Sequence, residues 1–119
     1  MTSKRILLVE DIYFNQMLIE SLLIEWGHEV AIDDNGSLAL KRLETEEFDL
    51  IILDLMMPIM DGFKFLETKG KSNNKIPVLV LSARSDMESI KKALELGAVD
   101  YVTKPFNASD LENKVKVLL

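Results

Sequence analysis

The chain contains no cysteine and only one histidine. The lack of cysteine excludes disulfides, thiolate metal sites and a cysteine nucleophile, and it fits a reducing compartment. A single histidine leaves no second imidazole with which to build a histidine metal site. No apolar run approaches the roughly 18 residues that span a bilayer, and the N-terminal run is too short for a signal peptide. We therefore expect a cytoplasmic protein with no membrane partner.

The chain also has fewer basic than acidic residues. The 119 residues include 14 lysines and arginines against 20 aspartates and glutamates, which gives a net charge of −6. Nonspecific nucleic-acid binding needs a positive surface, so we expect no direct contact with nucleic acid. The segment VEDIYFN (9–15) has no G-x-G-x-x-G pattern, and its acids repel anionic cofactors. This argues against a nucleotide-binding or flavin-binding module.

Short apolar runs alternate with longer amphipathic segments along a chain whose length fits one domain, residues 1–119. Strands are predicted at 5–9, 29–32, 50–53, 78–81 and 101–102. Helices are predicted at 12–26, 36–46, 62–69, 86–96 and 108–119. Five strand–helix repeats joined by right-handed crossovers indicate an α/β fold, a doubly wound five-stranded parallel sheet with five helices on its two faces. The second and fifth strands have the polar surroundings of edge strands.

Polar residues follow four of the five predicted strands. In an open parallel sheet, ligands bind beyond the carboxyl ends of the strands. The residues that follow the strands at that edge are Glu10, Asp11, Asp54, Ser82 and Lys104. Asp54 ends the apolar run LIIL, where an unpaired buried carboxylate is costly. A single aspartate after a strand is usually a helix cap or a loop residue, but the joint placement of these groups predicts a functional cluster.

The three acids at this edge indicate a metal site. Carboxylates in one cleft repel each other unless a cation joins them, and oxygen ligands of this kind suit Mg²⁺ (or Mn²⁺). We expect Asp11 and Asp54 to bind the ion directly and Glu10 to act through water. The backbone carbonyl of Met56 is a further candidate ligand.

The same groups suit phosphoryl transfer. An ionised carboxylate can attack a phosphoryl group and form an aspartyl-phosphate. That step needs in-line positioning and positive charge at the phosphoryl oxygens. Lys104 and the cation are placed to supply this charge from opposite sides, and the Ser82 hydroxyl can donate to a third oxygen. Asp54 is therefore predicted to be the phosphoryl acceptor.

These residues give the chain a resemblance to the receiver domains of two-component response regulators. The motifs that carry it are LLVED (7–11), LIILDLMMPIMDG (50–62), VLSA (80–83), LELGAVDY (94–101) and TKPF (103–106). The resemblance covers essentially the whole chain and implies a flavodoxin-like sheet with strand order 2-1-3-4-5. It also implies a cytoplasmic phosphoacceptor in signal transduction, not an enzyme that turns over an external metabolite.

The resemblance also assigns roles by position. Asp54 matches the phosphorylation site, and the residues that match the acidic pair and the family's lysine are Glu10, Asp11 and Lys104. Ser82 and Tyr101 match a switch pair, in which the hydroxyl of Ser82 is drawn to the phosphate and Tyr101 moves into the vacated space. This change would remodel the surface of the fourth helix, fifth strand and fifth helix.

Two further positions are expected to set the lifetime of the phosphoryl group. Met56, two residues past Asp54, and Arg84, two residues past Ser82, occupy the places that admit or exclude the attacking water in the family. Met56 is bulky and Arg84 can cover the phosphate, so we expect slow self-hydrolysis. The resemblance also implies a cis peptide before Pro105.

The first helix is more apolar than one buried stripe requires. At about 100° per residue, its core face comprises Ile12, Leu18, Ile19, Leu22, Leu23 and Trp26. Asn15 falls within this face and is expected to be hydrogen-bonded, for example to the acidic loop. The remaining large side chains either fold over the sheet edge or form a docking surface for a donor domain, as the resemblance implies. The predicted docking residues are Tyr13, Phe14, Met17, Pro105 and Phe106.

The implied partner is a histidine kinase or a histidine phosphotransfer domain, with an output domain or a second copy on the face of the fourth helix, fifth strand and fifth helix. The alternative from the enzyme class is a hydrolase of the haloacid dehalogenase type. The motif of that family requires a second aspartate two residues after the nucleophile, where this chain has Met56. A receiver-like domain that is never phosphorylated is the third possibility, and the intact set of acids, Ser82 and Lys104 argues against it.

Overall fold

A computed structural model describes residues 4–119, in which five strands alternate with five helices. The strands are β1 (Arg5–Val9), β2 (Glu29–Asp33), β3 (Leu50–Leu53), β4 (Val78–Ser82) and β5 (Asp100–Thr103). The helices are α1 (Tyr13–Glu25), α2 (Gly36–Leu43), α3 (Gly62–Lys71), α4 (Met87–Glu95) and α5 (Ala108–Leu118). The predicted alternation is therefore confirmed.

All five strands are parallel and lie in the order β2-β1-β3-β4-β5, as the resemblance implied. The strands β1, β3 and β4 are central and almost wholly buried, which is why they have continuous apolar sequences. The edge strands β2 and β5 keep partly exposed residues. This order brings the ends of β1, β3, β4 and β5 to one edge of the sheet.

Each face of the sheet has its own apolar core. One face is covered by α2, α3 and α4, whose buried contributions are Ala39, Phe65, Leu66 and Ala93. The other face is covered by α1 and α5, whose buried contributions are Ile19, Leu23, Leu111 and Val115. Strand side chains alternate between the two cores, since successive residues of a strand point to opposite faces.

The helix termini follow local signals in the sequence. The side-chain oxygens of Asn35, Asp61, Asp86 and Asn107 accept hydrogen bonds from the first turns of α2, α3, α4 and α5. Two predicted helix ends are wrong: α2 ends at Leu43 and not at residue 46, and α3, which was predicted to end at residue 69, continues through Gly70 to Lys71. The backbone at Gly70 does not adopt the positive φ that ends a helix at glycine, so the polar loop before β4 begins only at Ser72.

The core face predicted for α1 is also partly wrong. Ile12 is the extended N-cap residue and not the first helical residue, so the helix begins at Tyr13. Its buried residues are Gln16, Ile19 and Leu23. Ile12 and Leu18, which were expected in the core, are exposed. The inward amide is therefore Gln16, and the predicted Asn15 is only partly buried.

None of the helices within residues 4–119 combines the length and the apolar character that a membrane-crossing segment requires.

Candidate functional site

The candidate site lies at the carboxyl ends of the central strands. Glu10 and Asp11 follow β1, Asp54 follows β3, and Lys104 follows β5. Backbone hydrogen bonds between neighbouring strands continue past the strand ends. The Asp54 N–H donates to the Val9 carbonyl at 3.0 Å. The Lys104 N–H likewise donates to the carbonyl of the last β4 residue at 2.8 Å. The site residues are therefore fixed to the sheet by the main chain.

Lys104 joins two of the acids. Its ammonium nitrogen Nζ lies 2.6 Å from Glu10 Oε1 and 3.0 Å from Asp54 Oδ2. Glu10 is 1% exposed and Asp54 is 6% exposed, so both carboxylates are held away from water. The second Asp54 oxygen, Oδ1, accepts from the Met56 N–H at 3.0 Å. Both oxygens of Asp54 are thus oriented by donors of this chain.

Burial and the ion pairs act on the pKa values of this cluster in opposite directions. Burial raises the pKa of Glu10, against the lowering effect of the hydrogen bond from Lys104. For Lys104, burial alone would lower the pKa, but the hydrogen bonds to Glu10 and Asp54 outweigh it and the pKa is raised. Lys104 therefore remains an ammonium at neutral pH.

The three carboxylates fit a divalent cation. One oxygen of each of Glu10, Asp11 and Asp54 lies within 4.8 Å of the others. Asp11 Oδ1 is buried and has no hydrogen-bond partner in the described part of the chain, residues 4–119. The three carboxylates and the Lys104 ammonium leave a formal charge of −2. A buried carboxylate oxygen without a donor and a surplus of negative charge are the conditions that Mg²⁺ satisfies.

The loop from β3 to α3 folds tightly against Asp54 because of Gly62. A Cβ atom at Gly62 would lie 2.6 Å from Leu55 Cα and 2.9 Å from the Asp54 carbonyl oxygen. The Gly62 N–H donates to the Leu55 carbonyl at 3.0 Å, and the Asp61 carboxylate caps α3. Only glycine permits this approach, so Gly62 sets the path of the chain beside the Asp54 carboxylate.

Ser82 and Tyr101 are connected through the main chain of Arg84. Ser82 is buried, and its Oγ accepts from the Arg84 N–H at 3.3 Å. The Tyr101 hydroxyl donates to the Arg84 carbonyl at 2.5 Å. Burial raises the pKa of Tyr101. The peptide between Lys104 and Pro105 is cis, as the resemblance implied.

A shallow cleft of 540 Å³ opens beside the carboxylates, and Asp11, Met56 and Arg84 line it. The two residues expected to control access of water therefore flank the acids. A larger cleft of 1210 Å³ lies between Arg5 and Pro77 at the opposite end of the sheet. It contains none of the site residues.

The predicted docking residues are mostly exposed. Tyr13 is 71% exposed and Phe14 is 62% exposed, and both stand in the first turn of α1, directly after the acidic pair. Met17 and Pro105 are also exposed, whereas Phe106 is half-buried and packs against the core beneath α1 and α5.

Gln16 was missed as a site neighbour from the sequence. Its side-chain nitrogen donates to the Glu10 carbonyl at 2.6 Å and to Asp34 Oδ1 at 2.8 Å. The sequence does contain a signal for it. Gln16 lies three residues before Ile19 and seven before Leu23, so all three share one helical face, and a glutamine on an apolar face indicates a buried amide.

Comparison with known proteins places this site in a family. The response regulator receiver domain family matches residues 6–116. The chain is 37% identical over 116 residues to the transcriptional regulatory protein PcoR of Escherichia coli, covering 98% of this chain and 51% of PcoR. It is 37% identical over 117 residues to the alkaline phosphatase synthesis transcriptional regulatory protein PhoP of Bacillus subtilis, covering 98% of this chain and 49% of PhoP.

Solved receiver structures agree with the fold. The receiver domain of the Francisella response regulator 1452 aligns with a TM-score of 0.92 at 32% identity, covering 98% of this chain and 96% of that one. The receiver domain of the sensor histidine kinase PA1611 from Pseudomonas aeruginosa aligns with a TM-score of 0.90 at 28% identity, covering 98% of both chains. The PA1611 structure has a magnesium ion coordinated in its active-site cleft.

The chain belongs to the receiver domains of two-component response regulators. It is a phosphoacceptor signalling module and not a metabolic enzyme, which sets aside the hydrolase alternative. The chain spans about half the length of the curated relatives PcoR and PhoP.

Proposed function

We propose that this domain accepts a phosphoryl group on Asp54 from a phosphohistidine and works as a switch in a phosphorelay. The donor is a histidine kinase or a histidine phosphotransfer domain. The observation that carries the proposal is the placement of the Lys104 ammonium between Glu10 and Asp54, beside an Asp11 oxygen that has no hydrogen-bond partner among residues 4–119. A role in phosphoryl transfer is proposed because these groups supply the attacking carboxylate, the positive charge and the metal ligands that transfer to a carboxylate needs.

The cation of the site is proposed to be Mg²⁺ (or Mn²⁺), held by Glu10, Asp11, Asp54 and the Met56 carbonyl. When bound, the cation neutralises charge on the phosphoryl oxygens. The acidic cluster supports this assignment, as does the buried Asp11 oxygen that lacks a partner in the described part of the chain. The magnesium ion in the PA1611 receiver domain supports it by relationship.

The transfer itself breaks the P–N bond of the phosphohistidine and forms a P–O bond to Asp54. The fixed carboxylate of Asp54 supplies the attacking oxygen in one orientation, which lowers the entropic cost of the step. An ammonium has three N–H groups, and Lys104 uses two of them within residues 4–119. The third is available to a phosphoryl oxygen, and the Ser82 hydroxyl is proposed to donate to another.

The signal is proposed to leave the site through Ser82 and Tyr101. Arg84 links them, since its N–H bonds to the Ser82 hydroxyl and its carbonyl bonds to the Tyr101 hydroxyl. If the Ser82 hydroxyl turns to the phosphoryl group, it releases the Arg84 N–H and disturbs the Tyr101 contact. The change then reaches the face formed by α4, β5 and α5, which is proposed to bind an output domain or a second copy of the chain.

Met56 and Arg84 are proposed to set the lifetime of the phosphoryl group. Both line the cleft beside Asp11. Their side chains occupy the path along which water must approach the acyl phosphate. We infer slow self-hydrolysis from this position.

The donor is proposed to dock on the exposed start of α1 and on the segment after Lys104. The contributing residues are Tyr13, Phe14, Met17, Pro105 and Phe106. A docking role predicts that Tyr13→Ala and Phe14→Ala slow transfer from a phosphohistidine protein but not from a small phosphodonor. Equal slowing with both donors would remove the docking role.

The context of the domain is proposed from the family. Response regulators are typically cytoplasmic, and we propose the same for this chain. PcoR and PhoP are transcriptional regulatory proteins, and this chain corresponds to about half of each. We propose that any contact with DNA is made outside residues 1–119, because the net charge of this segment is −6.

Intact-mass spectrometry with a small phosphodonor tests the proposal. We expect the wild-type chain to gain one phosphoryl group when Mg²⁺ is present and none when the metal is chelated. Asp54→Asn should gain none under either condition. A phosphorylated Asp54→Asn, or a wild-type chain that stays unmodified with Mg²⁺ and donor, would contradict the proposed function.

A further inference from the structure

We propose that Gln16 is a positioning residue that holds the Asp11 carboxylate toward the cation. The inference rests on the proposed metal site and adds to it a residue of α1 that touches neither the metal nor the phosphoryl group. Gln16 is 9% exposed, and it is the one polar member of the buried stripe of α1. A buried amide on an apolar face is costly unless its hydrogen bonds are made.

The amide of Gln16 bonds to the main chain of the acidic loop. Its Nε2 lies 2.6 Å from the carbonyl oxygen of Glu10, which belongs to the peptide that joins Glu10 to Asp11. The same peptide segment is held on its other side, since the Glu10 N–H donates to the Asp33 carbonyl at 3.1 Å. Gln16 therefore fixes the plane of the peptide from which the Asp11 side chain starts.

Asp11 needs this support more than the other two acids do. Glu10 and Asp54 are held by the Lys104 ammonium, and Asp54 also by the Met56 N–H. Asp11 Oδ1 has no such donor among residues 4–119. Two neighbouring carboxylates repel it, so in the absence of metal only its backbone keeps it facing them. A backbone held by Gln16 keeps this ligand in place before the cation arrives.

The second hydrogen bond of Gln16 fixes the amide itself. Its Nε2 also lies 2.8 Å from Asp34 Oδ1, in the loop between β2 and α2. Both neighbouring oxygens can only accept hydrogen bonds, so the end of the Gln16 amide that faces them must be its NH₂ group. Asp34 is exposed, so this bond can be altered without opening the core.

Calorimetric titration of the unphosphorylated protein with Mg²⁺ tests the inference. Gln16→Met keeps the length of the side chain and removes both N–H bonds. Loss of such an outer hydrogen bond weakens metal binding by roughly tenfold or more, and we expect about a tenfold increase in the Mg²⁺ dissociation constant. Ile19→Val is the matched control, because it removes a methyl group from the same buried stripe without touching the acidic loop.

A purely structural role would lower stability in both variants and leave Mg²⁺ affinity unchanged in both. That result, or an equal loss of affinity in Ile19→Val, would overturn the inference. If Gln16→Met does not fold, Asp34→Ala and Asp34→Asn decide the question. Both remove the same charge, but only asparagine keeps the acceptor, so Asp34→Ala should bind Mg²⁺ more weakly than Asp34→Asn. Equal affinities of the two Asp34 variants would overturn it.

Asp11→Asn separates this inference from the proposed function. If the wild-type chain does not bind Mg²⁺, or Asp11→Asn binds it as well as the wild type, the metal site itself fails. If the wild type binds, Asp11→Asn does not, and Gln16→Met matches the wild type, then only the role of Gln16 fails.

Discussion

Lys104 Nζ lies 3.0 Å from Asp54 Oδ2, although the two residues are 50 positions apart in the chain. The contact exists because β3 and β5 end at the same edge of a parallel sheet. It neutralises part of the charge of a buried acid pair, since the same ammonium also bonds to Glu10. We therefore expect both folding and phosphoryl transfer to depend on the same lysine.

Replacing Lys104 should destabilise the fold, and removing Asp54 as well should restore part of the loss. Lys104→Met leaves two buried carboxylates without a counter-charge, and breaking a buried ion pair in this way costs about 3–5 kcal/mol. In Lys104→Met/Asp54→Asn one of these charges is gone, so the double variant should unfold at a higher urea concentration than Lys104→Met. Urea unfolding without metal is measured for the wild type, for Lys104→Met, for Asp54→Asn and for the double variant. Strictly additive losses would show that the two side chains are not coupled.

Replacing Gly62 by alanine should lower the stability of the fold, whereas replacing Gly70 by alanine should raise it. In Gly62→Ala the new Cβ meets the Leu55 backbone at 2.6 Å, and overpacking of this kind costs about 1–3 kcal/mol. The Asp54 carbonyl is also displaced, so phosphorylation should slow. In Gly70→Ala the Cβ meets nothing within 4 Å among residues 4–119 apart from its chain neighbours and the adjacent backbone of α3, and α3 gains roughly 0.5–1 kcal/mol. Thermal unfolding of both variants measures the difference, and a stable Gly62→Ala would refute the close approach.

The phosphoryl group should be lost faster when the side chains that flank the cleft are trimmed. Met56→Asn and Arg84→Ala open the path of water to the acyl phosphate, so each should shorten its half-life severalfold. Met87→Asn is the control, because it makes the same kind of change at an exposed methionine of α4 outside this cleft. The decay is followed by intact mass after the donor is removed. An unchanged or longer half-life in Met56→Asn and Arg84→Ala would contradict the shielding role.

Lys69 should make stability increase with pH in the alkaline range. Burial, followed by repulsion from Lys75, lowers the pKa of Lys69 below its ordinary 10.5. Between the folded pKa and 10.5 the unfolded chain binds more protons, so the free energy of unfolding rises with pH across that window. Lys69→Met should remove this increase in the free energy of unfolding with pH. Lys71→Met, at an exposed position of the same helix, should keep it, and denaturant unfolding between neutral pH and pH 10.5 measures both. If stability still increases with pH in Lys69→Met, the increase comes from another titratable group.

The sheet and the convergence of the acids could be predicted from sequence because both follow from simple rules. Continuous apolar runs mark central strands, and residues that follow parallel strands share one edge. These rules alone predict that Asp54 and Lys104 lie close together. The hydrogen bond from the Met56 N–H to Asp54 Oδ1 could not be predicted, because it depends on the path of the loop that Gly62 allows.

Details of backbone conformation lay beyond the sequence. Asn15 is the predicted inward amide because it falls within the predicted apolar face of α1. The structure instead buries Gln16 with Ile19 and Leu23, and Ile12 is an extended N-cap. Ile59 adopts a positive φ of 68° while almost fully exposed. A β-branched residue rarely adopts that conformation, so no propensity would predict it.

The central claim is that Asp54 itself receives the phosphoryl group in a metal-dependent reaction, and mapping of the modified residue tests it most directly. Borohydride reduces an aspartyl-phosphate to homoserine, which peptide mass spectrometry locates. After reaction with a small phosphodonor and Mg²⁺, we predict homoserine at position 54, and none after chelation of the metal. Homoserine at another aspartate, or at position 54 irrespective of metal, would contradict the account.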